Sequence, residues 1–341
     1  MRPRFSWLPN VGLLLGSVVV TLLVLEGGLR ITGLSDTRPT PPRIYRASED
    51  PEISYELIPS SAETAFRNTV TVNRFGFRSP EPTEGKPLVA VLGDSITFGY
   101  GLADDETLAR RLEAHAGSGS QFLSAAVPGY NLLQETATYE KKLRSLTPAG
   151  VVLVFYWNDL KDIEPAVLNA EGNLVPKGSG NAPVHCNPIE EGVLGSLPGR
   201  CWLDLHSALY RAVKKTVSRR TEQKNLAEQV EEYKASPFTE EQPPERLDDY
   251  ARTLDRLVKG LPEGLPRLFV IWPDKHLHFT YRPRLRQIAE ARGFRVLDLY
   301  EVFGNEAKTL SWDTVHPDAD TIDRAAAVIA AVMTEWNLLP R

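Results

Sequence analysis

The sequence predicts a three-layer α/β/α domain on a five-stranded parallel sheet, preceded by one transmembrane helix. Three observations carry this. After Lys86, apolar runs of strand length alternate with stretches of helical period. Each run is continuously hydrophobic, as a strand buried on both faces requires. An uncharged apolar tract stands near the N-terminus.

That tract runs from Leu8 to Leu25 after Arg2 and Arg4, and Gly27, Gly28 and Leu29 extend it toward the length that crosses a bilayer. No A-x-A-like cleavage site comes after it, so an uncleaved signal anchor is favoured over a removed signal peptide, and both over a buried core helix. Arg30, Arg38, Arg43 and Arg46 outnumber the arginines before the tract, a pattern that alone would keep the chain in the cytosol. Long domains translocate largely regardless of such charge. Residues 1–34 are therefore read as a cytoplasmic tail and signal anchor, with the remainder periplasmic or extracellular.

Residues 35–86 open with Thr37-Arg-Pro-Thr-Pro-Pro42 and are rich in Pro, Ser, Thr and charge, which predicts an extended lead-in. Its end, Val70 to Arg78, alternates apolar and polar residues and is expected to pair or pack against the main domain. The main domain spans 87–341. Its strands are expected at Leu88–Gly93, Phe122–Val127, Val151–Tyr156, Arg267–Trp272 and Phe294–Leu299. Its helices are expected at Glu106–His115, Leu132–Leu146, Glu245–Lys259, Pro283–Arg292 and Thr321–Trp336. An insertion at about 163–244 breaks the alternation and carries an amphipathic stretch from Leu203 to Tyr233. We read it as a helical cap beside the active site; a surface elaboration on the flank is the plainer alternative.

A composition of 42% hydrophobic and 24% charged residues excludes a disordered chain, and a net charge of −5 gives no cationic footprint for nucleic acid. Cys186 and Cys201 lack the partners of a zinc site; a bridge and two unlinked thiols remain equally open. His276 and His278 are read as substrate-loop or surface residues, with metal binding a minor alternative for want of a third ligand.

Four segments carry chemistry. Val91-Leu-Gly-Asp-Ser95 ends the first strand of the main domain, placing Ser95 at the sheet edge where α/β proteins build their sites. Gly93 permits a tight bend, and a helical turn after it would aim free N–H groups toward Ser95; a plain strand-to-helix turn capped by Asp or Ser also explains the run. In Asp313-Thr-Val-His316-Pro317 a carboxylate precedes a histidine by three residues, so one ring nitrogen can bond to it while the other faces a nucleophile. Pro317 turns His316 away from helical geometry, although a helix-start loop would look the same. Gly129 and Asn158 close the second and third strands of the main domain and offer a backbone N–H and an amide. With the Ser95 N–H they would form an oxyanion hole; each also has a simple reading as a turn residue.

The ordered set Gly93-Asp94-Ser95, Gly129, Asn158 and Asp313-x-x-His316 resembles the four blocks of SGNH (GDSL-type) hydrolases, over roughly Leu88 to Trp336. The run Asn73-Arg-Phe-Gly-Phe-Arg78 and the N-terminal helix look like the membrane-anchored bacterial members. The resemblance implies a flavodoxin-like sheet, Ser95 as nucleophile, His316 as base, Asp313 as its orienter, and Ser95, Gly129 and Asn158 as oxyanion donors. Two features depart from the pattern: Tyr156 stands where the third block usually has Gly, and the insertion exceeds a minimal member.

The expected reaction is two-step hydrolysis of an O-acetyl or short acyl ester on a cell-envelope carbohydrate, with no metal or organic cofactor required. Transfer of the acyl group to a surface polysaccharide is the second reading. A membrane-tethered glycan- or lipid-binding protein is the third. Trp157, Tyr130 and Tyr100 beside the blocks are candidates to stack on a sugar, or packing residues.

Overall fold

The structure, a computed structural model, describes residues 8–32, 43–117, 119–160, 166–169, 174–175, 197–214, 216–217, 224, 228, 245–311 and 313–340. The pairing of Cys186 with Cys201 and most of the insertion lie outside the described residues. The chain divides into two compact units, Met1–Thr40 with Asn181–Glu228 and Pro41–Gly180 with Gln229–Arg341.

In the first unit a single helix covers Leu8–Thr32. At 1.5 Å per residue it is about 37 Å long, more than the ~30 Å hydrocarbon core of a bilayer. Its apolar side chains, among them Leu13, Leu15, Leu23 and Val24, are exposed, and Asn10–Thr32 is long and apolar enough to cross a membrane. The same unit holds the helix Arg200–His206 and a helical stretch at 208–214.

The second unit begins with two short hairpins where the sequence suggested an extended lead-in. Strands β1 (Tyr45–Ala47) and β2 (Tyr55–Leu57) pair antiparallel, as do β3 (Ser61–Ala65) and β4 (Asn68–Val72). Their alternate apolar side chains, Tyr55, Leu57, Val70 and Val72, join Ile44 and Ile53 in a core shared with Phe98, Val127 and Tyr130. That many buried apolar groups outweigh the turn-rich composition, since each large side chain contributes about 1.5–3 kcal/mol on burial. Phe66 and Arg67, both at positive φ, form the two-residue turn between β3 and β4.

The main sheet contains β5 (Leu88–Leu92), β6 (Gln121–Ser124), β7 (Gly150–Phe155), β10 (Arg267–Ile271) and β11 (Arg295–Asp298), all parallel. A small hairpin, β8 (Val167–Leu168) and β9 (Leu174–Val175), stands apart from it. The spatial order β6-β5-β7-β10-β11 is the flavodoxin-like order, in which the chain winds in both directions from the first strand of the sheet. All five strands coincide with the expected segments to within a few residues. Period-two alternation divides each strand between two cores: Leu88, Ala90 and Leu92 face one side, Val89 and Val91 the other. The helices Glu245–Gly260 and Tyr281–Glu290 cover the first side, Leu108–Ala116 and Ala319–Glu335 the second.

One expected helix differs. Leu132–Leu146 is regular only to Thr138 and then passes through a π turn at Tyr139–Leu143 and a 3-10 turn at Arg144–Leu146.

Candidate active site

The site is built at the carboxyl ends of the parallel strands. After β5 the chain bends at Gly93, whose φ of 155° belongs to glycine and where a Cβ would collide with the Thr97 side chain. Asp94 then caps the short helix Ser95–Phe98, its Oδ1 accepting from the Ile96 N–H at 2.9 Å. Four residues are too few for a substantial helix dipole, so any help to a negative charge near Ser95 must come from individual N–H groups.

Arg78, from the lead-in, holds the far end of this turn. Its buried guanidinium donates to the carbonyls of Phe98, Gly99 and Leu102 and to Asp104. Burial lowers its pKa, opposed by Asp104, but a guanidinium remains charged at any working pH. The Asn73-to-Arg78 run thus fixes the turn that bears Ser95: the Asn73 side chain accepts from the N–H groups of Phe75 and Phe77 and shapes the loop that delivers Arg78.

His316 arrives from a loop before the last helix. Asp313 Oδ1 accepts from the backbone N–H groups of Val315 and His316, at 2.6 and 2.9 Å, and its Oδ2 lies 2.7 Å from His316 Nδ1. On the other side of the ring, Nε2 lies 2.9 Å from Ser95 Oγ. Burial acts to raise the Asp313 carboxyl, yet the hydrogen bonds from His316 and Val315 outweigh it and hold the group below its ordinary value. An ionised carboxylate only accepts, so the ring proton sits on Nδ1 and Nε2 is left to accept from the serine hydroxyl. Residues 95, 313 and 316 therefore form one continuous hydrogen-bonded chain. Tyr100 stacks on the His316 ring, centroids 4.1 Å apart, and Phe66 packs on Tyr100 in turn.

Asn158 sits in the 3-10 turn Trp157–Leu160 after β7, and its Nδ2 donates to Asp94 Oδ2 at 2.8 Å. It is thereby tied to the residue next to Ser95, despite Tyr156 two positions earlier. Gly129, in the loop after β6, has φ of 81°, and a Cβ there would come within 2.8 Å of the Tyr55 hydroxyl. That hydroxyl donates to the Pro128 carbonyl, so the lead-in also braces this loop.

One expectation changes, and the reading of two aromatics narrows. Trp157 and Tyr130 are buried packing residues, which leaves Tyr100 as the aromatic of the three beside His316. His278 lies in the loop between β10 and the helix Tyr281–Glu290, as one of its two readings had it, but it is no surface residue: it is buried, stacks on Trp157 at 3.5 Å and places Nε2 2.9 and 3.0 Å from the two Asp274 oxygens. Among the described residues no group of three or more His, Cys, Asp or Glu side chains is placed to hold a metal ion.

Two buried carboxyls that neighbour Asp94, those of Glu135 and Asp159, have no role assigned from the sequence. Both oxygens of Glu135 and one of Asp159 are buried with no hydrogen-bond partner among the described residues. Burial, then the neighbouring acidic groups, raises both pKa values well above ordinary, and burial also raises Asp94. An acid raised on folding stabilises the folded state fully only below its unfolded pKa, and that contribution is lost as pH rises toward the folded value. Glu135→Gln, which cannot ionise, is therefore expected to lose less Tm than the wild type between mildly acidic and mildly alkaline buffer. Thermal denaturation at both pH values checks this, and an identical fall in the two proteins counts against it.

No family model matches the sequence, and no curated protein matches it. Solved structures do. A lipase/acylhydrolase from Enterococcus faecalis is 12% identical over 75% of this chain and 98% of its own, with a TM-score of 0.40. A carbohydrate acetylesterase from Sinorhizobium meliloti is 13% identical over 74% of this chain and 100% of its own, also with a TM-score of 0.40. A GDSL-like lipase from Bacteroides thetaiotaomicron is 12% identical over 75% and 92%, with a TM-score of 0.38. At such identities the likeness is one of fold alone.

Proposed function

We propose that the protein is a membrane-anchored serine esterase of the SGNH (GDSL) type, acting on an O-acetyl or short acyl ester of a cell-envelope carbohydrate. The observation that carries this reading is the continuous chain from Asp313 Oδ2 through His316 to Ser95 Oγ, with both hydrogen bonds under 3 Å.

In the proposed mechanism Ser95 Oγ attacks the ester carbonyl as its proton passes to His316 Nε2. Asp313 keeps the imidazole oriented and stabilises the imidazolium. The oxyanion is received by the N–H groups of Ser95 and Gly129 and by Asn158 Nδ2; Asp94 accepts one hydrogen of that amide and leaves the other for substrate. Each such donor is worth about 3–4 kcal/mol of transition-state stabilisation. His316 then protonates the departing alcohol, and water repeats the sequence to release the acid.

The placement at the cell envelope rests on the N-terminal helix, read as an anchor that leaves the catalytic domain periplasmic or extracellular. A fluorophosphonate probe applied to the full-length chain is expected to label Ser95, located by peptide mass spectrometry. Failure to label under conditions where ordinary serine esterases react would leave the protein a non-catalytic binder.

A further inference from the structure

The segment 197–217 belongs to the same compact unit as the N-terminal helix, and the contacts between them are specific. Glu26 accepts from the backbone N–H groups of Ala208 and Leu209, both at 2.8 Å, and from the Ser207 hydroxyl at 3.1 Å. Arg30, paired with Glu26 at 2.7 Å, donates to the His206 carbonyl. The helix Arg200–His206 and the helical stretch at 208–214 are thus hooked onto the N-terminal helix at one level.

That level follows from the position of Glu26 in the chain. The uncharged tract ends at Leu25, so Glu26 is the first charge after it. Taking the tract centre as the bilayer midplane, Glu26 lies about 14 Å away, against a hydrocarbon half-thickness of about 15 Å. Whatever Glu26 and Arg30 hold is therefore held at the boundary between acyl chains and headgroups.

The segment held there exposes apolar side chains: Trp202 is 63% exposed, Val213 45% and Val217 44%. Trp favours this boundary because its ring is apolar and its N–H polar. We propose that segment 197–217 lies on the membrane surface with Trp202 seated among the lipid headgroups, in place of the cap role expected from the sequence. The proposal rests on the reading of the N-terminal helix as a membrane anchor.

The test uses the full-length chain reconstituted in phosphatidylcholine–phosphatidylglycerol vesicles, with and without lipid brominated near the headgroup end of its acyl chains. The fluorescence of Trp202 is obtained as the difference between wild type and Trp202→Phe. It is expected to lose most of its intensity in the brominated vesicles. Glu26→Gln, which weakens the hook, is expected to restore part of it while the protein stays in the membrane pellet after alkaline carbonate. Retention in the pellet with an unquenched Trp202 would overturn the membrane-surface assignment alone. Release of the wild-type chain by carbonate would overturn it together with the anchor.

Discussion

Ser95→Ala is expected to fold as the wild type does and to lose hydrolysis of short p-nitrophenyl esters by about 10⁶-fold in kcat, as removal of a triad nucleophile does elsewhere. The fold should survive because the Oγ makes little that the turn depends on. Asp94 still caps the turn through the Ile96 N–H, Asn158 still donates to Asp94, and Arg78 still binds the carbonyls at its far end. Equal Tm with lost turnover is thus the expected pair of results. Undiminished turnover would remove Ser95 from the mechanism.

Asp313→Asn is expected to cost about 10⁴-fold in kcat, with the loop intact. The amide oxygen can go on accepting from the Val315 and His316 N–H groups, so His316 stays where it is. The amide nitrogen, however, would donate to Nδ1 and drive the ring proton to Nε2. Nε2 would then present a hydrogen to the serine hydroxyl when it should accept one. Comparison of kcat and Tm for this variant separates the two roles: retained activity would reduce Asp313 to a loop-shaping residue.

Much of this architecture is legible in the amino-acid sequence alone. Leu88–Leu92 and Arg267–Ile271 are unbroken apolar runs, and a strand covered on both faces leaves no other pattern. Asp313 and His316 are legible because three residues of loop bring a carboxylate back onto an imidazole. The roles of Arg78, Asp94 and Glu135 are less so. Arg78 acts on carbonyls, which no side-chain pattern reports, and it reaches them from a segment whose Pro and Ser content reads as a spacer. The cap role of Asp94 can be read from its place before Ser95, but its hold on Asn158 spans 64 positions of sequence. Glu135 and Asp159 look like surface charges because carboxylates are seldom fully buried. The amphipathic stretch from Leu203 to Tyr233 is ambiguous in another way, since amphipathic period states that one face is apolar and not what that face meets.

The first hairpin has a practical bearing. β1 lies along one edge of β2, with Tyr45 opposite Leu57, and Ile44 is fully enclosed. A truncation beginning at Ser48, after the last residue of β1, would strip that strand away, bare the rim of its neighbour and open a slot where Ile44 had been. Unpaired rims of this kind recruit other chains, so such a fragment would be prone to stick to itself. A version freed of the hydrophobic helix should therefore be cut between Thr32 and Ile44, ahead of the first enclosed isoleucine.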